Sequence, residues 1–235
     1  MPGRPDPFSD PAVATSYAAQ TRAKVPGLDD LHRMVTLLLA EKAPAGARML
    51  VVGAGGGLEL SAMAGAQPGW HFTGVDPSPV MLTQARHATA AAGDRIDLIE
   101  GRVDLAPQGP YDGATCLLTL HFLNRAERLH TLREIRRRLR PGARLVVAHH
   151  APPAEGAEQW LARSVRFGDP AAAAQAAAAG ERMAQLLPLC SPAEEEDLLR
   201  EAGFADVALF YAALSFRGWV AVRGGDPGHT EESPV

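Results

Sequence analysis

The chain has 235 residues, 46% of them apolar, and a formal charge of −4, enough for one large α/β domain with a full core and too little for two comfortable ones. Nothing in that charge suits a polyanionic partner, because nucleic-acid binders carry a basic surplus or stripe. No run approaches the roughly 18 apolar residues a membrane helix needs, and the opening MPGRPDPFSD is polar and Pro-rich, without a secretory apolar core.

Taken in order, residues 1–8 and 224–235 lack a hydrophobic period and are expected to be disordered ends around a single domain, 9–223. The segment Ser16-Tyr17-Ala18-Ala19-Gln20 reads as part of an N-terminal helix placed to fold over a ligand as a lid. Residues 28–43 put Leu28, Leu31, Val35, Leu38 and Leu39 on one helical stripe, stopped by Pro44. Residues 48–53 form a short apolar run of the buried parallel-strand kind, and a helix is expected from Gly57. Residues 71–76 read as the next strand, beginning at a structural His71; a helix over 78–92 follows, capped by Asp76 or Ser78.

Residues 95–100 and 112–118 continue as strands. A helix over 125–139 ends at Pro141-Gly142, and 144–149 is the fifth strand. The basic run REIRRRLR, 133–140, reads as the solvated face of that helix. Residues 155–187 read as Ala-rich helix broken around Gly168-Asp169-Pro170, and 192–202 as a helix stopped by Gly203. Two strand-like runs with almost no linker, 207–212 and 214–222, close the chain as a hairpin. Five strand-then-helix units predict a parallel, doubly wound sheet. Cys116 and Cys190 lie far apart without metal-ligand spacing. They fit a reduced, cytoplasmic protein with no metal site.

The segment LVVGAGGGLEL runs from a strand through Gly53, Ala54, Gly55, Gly56 and Gly57 into a helix. Such a loop brings backbone N–H groups close to a ligand at a helix start. A dinucleotide fingerprint needs glycines at the first, third and sixth positions, and the sixth here is Leu58. That argues against a nicotinamide-dependent oxidoreductase. The G-x-G-x-G form suits a ligand part without phosphates. Asp76 ends the second strand nineteen residues after Gly57, where a carboxylate can accept from both ribose hydroxyls. A helix cap before Pro77 is its other natural role.

With these segments in this order, and with the closing hairpin, the chain resembles the class I S-adenosylmethionine-dependent methyltransferases over roughly residues 9 to 223. The resemblance implies S-adenosylmethionine as cofactor. It also implies an α/β, Rossmann-like doubly wound sheet of seven strands, the last antiparallel, with helices on both faces and an N-terminal helical lid. Within the class the chain is similar to the carboxy-S-adenosylmethionine synthase group. That similarity rests on Val25-Pro26-Gly27, Ser78-Pro79-Val80-Met81, Ile99-Glu100-Gly101, Leu120-His121-Phe122-Leu123 and the ending from Phe210 to Phe216. Cofactor contacts are implied at Gly53, Ala54, Gly55, Gly57, Asp76, Pro77, Met81, Gly101, Arg102, Val103, Leu117 and Leu118. Arg182 falls near the arginine that grips an extra cofactor carboxylate in that group. Two positions depart from the pattern. The acid usual two residues before the first loop glycine is Val51, and the acid after the third-strand glycine is Arg102. A shared cofactor site follows more readily than a shared reaction.

Methyl transfer from a sulfonium is downhill, so such a protein mainly aligns donor and nucleophile and excludes water. For an amine or phenol acceptor a histidine can take the proton. The candidates are His121, beyond the fourth strand, and His149 with its neighbour His150, ending the fifth. Tyr17, Phe122 and Phe167 are candidates for the acceptor side, and Trp160 and Trp219 for the core. The expected activity is methyl transfer to a small-molecule acceptor, without membrane or nucleic-acid partners and with a homodimer left open. A non-catalytic S-adenosylmethionine-binding protein and a cofactor-modifying enzyme remain as alternatives.

Overall fold

Strands and helices alternate through the first five strands, flanked by paired helices and a closing hairpin, over residues 11–225, the part of the chain that the computed structural model describes. The ends expected to be disordered, 1–8 and 224–235, lie outside the described residues apart from Gly224 and Gly225. Strands β1 (Arg48–Val52), β2 (His71–Asp76), β3 (Ile96–Glu100), β4 (Tyr111–Leu117), β5 (Leu139–His150), β6 (Phe204–Ala213) and β7 (Phe216–Arg223) form one sheet. Their order is β3-β2-β1-β4-β5-β7-β6. The first five are parallel, and β7 runs antiparallel to both β5 and β6. The expected topology, hairpin included, is the one observed. Strand order reverses between β1 and β4, so the crevice for a ligand opens at their carboxyl ends.

Both faces of the sheet are covered, which is why β1 and β4 read as continuous apolar runs. Eight α-helices occur among the described residues: α1 (Pro11–Lys24), α2 (Leu28–Ala40), α3 (Leu58–Ala66), α4 (Pro79–Ala88), α5 (Arg125–Arg138), α6 (Ala157–Gly168), α7 (Ala176–Leu186) and α8 (Pro192–Glu201). On one face Leu31, Val35 and Leu39 of α2 and Leu60 and Met63 of α3 pack on Met49, Val51 and Val146. On the other, Leu132 and Ile135 of α5 and Leu198 and Leu199 of α8 pack on Leu50, Val52, Leu145 and Val147. Alternate residues of β1 and β5 thus feed opposite cores, as the period of two requires.

Several local expectations change. The 155–187 stretch is α6, a 3₁₀ turn over Pro170–Ala174, and then α7. The two helices pack backbone to backbone, since a Cβ on Gly180 would collide with the Glu158 carbonyl oxygen. The basic run is not wholly a solvated face. Arg138 is fully buried, and its guanidinium donates to the carbonyls of Ala106, Asp104 and Glu134. A long side chain can bury its charge when every donor finds an acceptor. Trp219 is core, as expected, whereas Trp160 is only partly buried, with the Arg163 guanidinium 4.4 Å above its ring. In the hairpin, the register of β6 against β7 shifts between Ala205 and Ala208 and again between Leu209 and Tyr211. The first shift contains Asp206 at φ 51°.

Candidate active site

The glycine loop leaves β1 and doubles back over the end of β2. The Gly53 and Ala54 N–H groups both donate to the Val75 carbonyl, at 2.9 and 3.0 Å. Gly55 N–H donates to Asp76 Oδ2 at 2.8 Å, and Ser78 N–H donates to Asp76 Oδ1 at 2.9 Å. Asp76 therefore ties the loop to the start of α4 while its carboxylate stands at the crevice wall. The helix cap itself is Ser78, whose Oγ accepts from Met81 N–H at 3.3 Å. Gly57 has φ 79°, and a Cβ there would lie 2.8 Å from Ala85 Cα. The close helix packing that a dinucleotide site assigns to its sixth-position glycine falls here to the fifth. Gly57→Ala is expected to lower stability by about 1–3 kcal/mol through strain and crowding, measured as a drop in Tm.

A cavity of about 940 Å³ opens at the carboxyl ends of the strands. Its floor is the glycine loop and Asp76. Its sides bring together Pro77 and Met81, then Gly101, Arg102 and Val103, then Leu117, Leu118 and Phe122. Tyr17 of α1 lies against the glycine loop, since a Cβ on Gly56 would stand 3.1 Å from its ring. Burial pushes its phenol up to about 12, so it is neutral. Leu118 holds φ 55°, a left-handed conformation uncommon for leucine, and donates its N–H to the Ala148 carbonyl at 2.6 Å. Backbone strain of this kind concentrates where a wall must be shaped.

Of the twelve expected cofactor positions, ten line this cavity. Ala54 instead borders a small chamber beside it, and Gly57 serves helix packing. Tyr17 and Phe122 line the cavity as expected. Arg182 is exposed on α7 and does not, although Leu186 and Leu187 at the end of that helix do. Phe167 is exposed and also lies off the wall.

None of the three expected bases reaches the cavity wall. His149 shares the face of Val147 and is fully buried, with Nε2 3.0 Å from Glu195 Oε1 on α8. His150 points to the other face, where its Nδ1 lies 2.7 Å from Ser215 Oγ. His121 is buried behind Phe122, with ring centroids 4.2 Å apart. Burial holds all three imidazoles below their usual range and keeps them neutral, His150 at about 4.

Other polar groups do reach the site. His130 Nε2 lies 2.7 Å from Asp104 Oδ1, and Arg102 Nη1 lies 3.6 Å from Glu127 Oε1; all four residues line the cavity. The small chamber, about 20 Å³, is bounded by Tyr17, Thr21, His32, Gly53, Glu59, Leu117 and Leu118, among others. Glu59 sits in the first turn of a helix whose other residues are apolar apart from Ser61. That was the one available signal for it in the sequence.

Residues 50–145 match the family described as a methyltransferase domain. The chain is 29% identical over 227 residues to a carboxy-S-adenosyl-L-methionine synthase of Chromohalobacter salexigens, covering 91% of this chain and 82% of that one. It is 32% identical over 171 residues to a ubiquinone biosynthesis O-methyltransferase of Xanthomonas axonopodis pv. citri, covering 68% of this chain and 63% of that one. Human N-acetylserotonin methyltransferase, solved with S-adenosylmethionine, superposes on 94% of the chain and 61% of its own length, with a TM-score of 0.59 and 17% identity. The chain thus spans less than two thirds of the latter two proteins.

Proposed function

Since the chain belongs to the class I S-adenosylmethionine-dependent methyltransferases, we propose that it passes the methyl group of S-adenosylmethionine to a small-molecule acceptor held in the same cavity. The observation that carries this reading is the cavity itself. About 940 Å³ lies near the upper end of the roughly 300–1,000 Å³ of small-ligand sites, room enough for the cofactor and a compact acceptor. The lining fits the cofactor. The Asp76 carboxylate is positioned for the ribose hydroxyls, the glycine loop leaves backbone uncovered, and Met81, Val103 and Leu118 give apolar surface for the adenine.

The bound cofactor would supply an electrophilic methyl on a sulfonium. The protein's part is orientation and exclusion of water, for which Tyr17 over the loop and the apolar Leu117, Leu118 and Phe122 are placed. Neutral buried His121 and His149 stand off the wall, so they act as packing. Should an acceptor need to lose a proton, His130, held by Asp104 and facing the cavity, is the better-placed imidazole. Arg182 does not line the cavity and so lends the cofactor-modifying alternative nothing; that alternative rests on the similarity to the carboxy-S-adenosyl-L-methionine synthase alone. The two cysteines are free, which suits the cytoplasm. Among the described residues no helix is long and apolar enough to cross a membrane.

The test is Asp76→Ala with S-adenosylmethionine as titrant. Loss of two charge-assisted hydrogen bonds, and of the tie on Gly55, is expected to weaken binding at least about tenfold. An unchanged dissociation constant by calorimetry would remove Asp76 from the site. Formation of S-adenosylhomocysteine in the presence of small phenols or amines then decides for catalysis over binding alone.

A further inference from the structure

The small chamber beside the glycine loop has a feature that the cavity's other acids lack. Asp76 has both carboxylate oxygens occupied by backbone N–H groups, of Gly55 and Ser78. Asp104 is paired with His130, and Glu127 with Asn124 N–H and Arg102. Glu59 is buried, and only its Oε1 is engaged among the described residues, accepting from Thr115 Oγ1 at 2.5 Å. Thr115 on β4 is the register partner of Val51 on β1. The Glu59 carboxyl therefore reaches back over the strand pair at the level of Val51, on the face that Val51 itself packs. The chamber shares Tyr17, Gly53, Leu117 and Leu118 with the large cavity, and its volume of about 20 Å³ suits one water-sized group.

We propose that Glu59 is the carboxylate that receives the ammonium group of the bound S-adenosyl cofactor, supplying from α3 the negative charge that Val51 cannot supply from β1. This rests on the cofactor assignment made above. A methionyl head carries an ammonium that is costly to bury without a counter-charge, and a carboxylate left half-committed in a one-group chamber answers that need. His32, buried on another wall of the chamber and held at about 4, is neutral and does not compete for the carboxylate. Tyr17 from α1 and Cys116 from β4, both raised by burial, are neutral as well. Asp76 adds negative charge from β2, since it too acts on Tyr17. Burial raises Glu59 to about 8, so at neutral pH it is protonated until a cation arrives.

Two ligands separate the proposal from the reading beneath it: S-adenosylhomocysteine, which keeps the ammonium, and 5′-methylthioadenosine, which lacks the whole amino-acid head. Glu59→Gln keeps the shape and can still accept from Thr115. It is expected to weaken S-adenosylhomocysteine at least about tenfold and methylthioadenosine by less than about threefold. Retained methylthioadenosine binding doubles as proof of folding. On the wild-type protein, calorimetry at pH 7 in buffers of different ionisation enthalpy should show about one proton released per S-adenosylhomocysteine bound and none per methylthioadenosine; this needs no variant. Equal effects of Glu59→Gln on the two ligands, or no proton release, would overturn the role of Glu59 while leaving the cofactor site standing. Failure of the wild-type chain to bind either ligand would overturn both.

Discussion

Glu195→Leu is expected to destabilise the protein by about 3–5 kcal/mol, because it strands a buried guanidinium. Arg128 and Glu195 have side chains 0% and 1% exposed and form a direct ion pair between α5 and α8. The rest of the Arg128 fork is spent on backbone: Nε donates to the Leu123 carbonyl at 2.9 Å and Nη2 to the Pro188 carbonyl at 2.5 Å. Removing the carboxylate leaves the charge without its partner. Replacing both residues, as Arg128→Met with Glu195→Leu, is expected to recover a large part of the loss, since the paired charges had repaid little more than their own desolvation. Urea unfolding of the two variants checks this; equal losses in both would show that the pair is not the source. The pair also reaches the site. Leu123 and Leu187, one on and one beside the tethered carbonyls, line the cavity, so the single variant should bind cofactor more weakly even below its melting point.

Acid is expected to unfold the chain well before its carboxylates would require it. His32 and His150 are both held at about 4 by burial, and His121 and His149 are lowered well below the usual range by the same cause. For a group whose folded value is depressed below the unfolded 6.5, the unfolded chain takes up the proton first. The stability is therefore complete above about pH 6.5 and is lost as pH falls toward 4. At 1.36 kcal/mol per unit, His32 and His150 alone account for a loss of about 3 kcal/mol each, a large share of the usual 5–15 kcal/mol. Glu59 acts with the opposite sign. Its raised value of about 8 means stability grows as pH falls from 8 toward its unfolded 4.5. One carboxyl works against four imidazoles, so Tm should peak between about pH 6 and 7 and fall steeply on the acid side. A melting temperature flat from pH 7 to 4.5 would show that the histidines are not buried as described. Glu59→Gln should remove the shallow alkaline limb and leave the acid one.

The parts of this architecture legible in the sequence were those written in local pattern. The glycine loop, Asp76 at a strand end and the closing hairpin all announce themselves by spacing, and the sheet order follows from the alternation that produces them. The histidines show where that reasoning stops. A strand end near the crevice looks promising for His149, yet which face a residue takes depends on its parity with Val147, and that face leads to α8 rather than to the ligand. His121 sits in a 3₁₀ turn, Leu120–Phe122, whose winding sends Phe122 outward and the imidazole in. Arg138 and Arg128 look like surface charge on a polar helix, because the carbonyls that satisfy them lie 32 and 60 residues away in sequence. The His130–Asp104 pair was invisible for the same reason, joining two elements 26 residues apart.

The two register shifts in β6 bear on how copies of this molecule meet. An outermost strand presents a row of unpaired donors and acceptors to which another chain can add. Here that row is interrupted twice within ten residues, once at Asp206, whose φ is 51°, and once at Phe210. Each interruption bends the strand and breaks the even spacing that a visiting strand would need. The sheet thus resists extension at the β6 edge by its own backbone, which leaves β3 as the edge with an uninterrupted row.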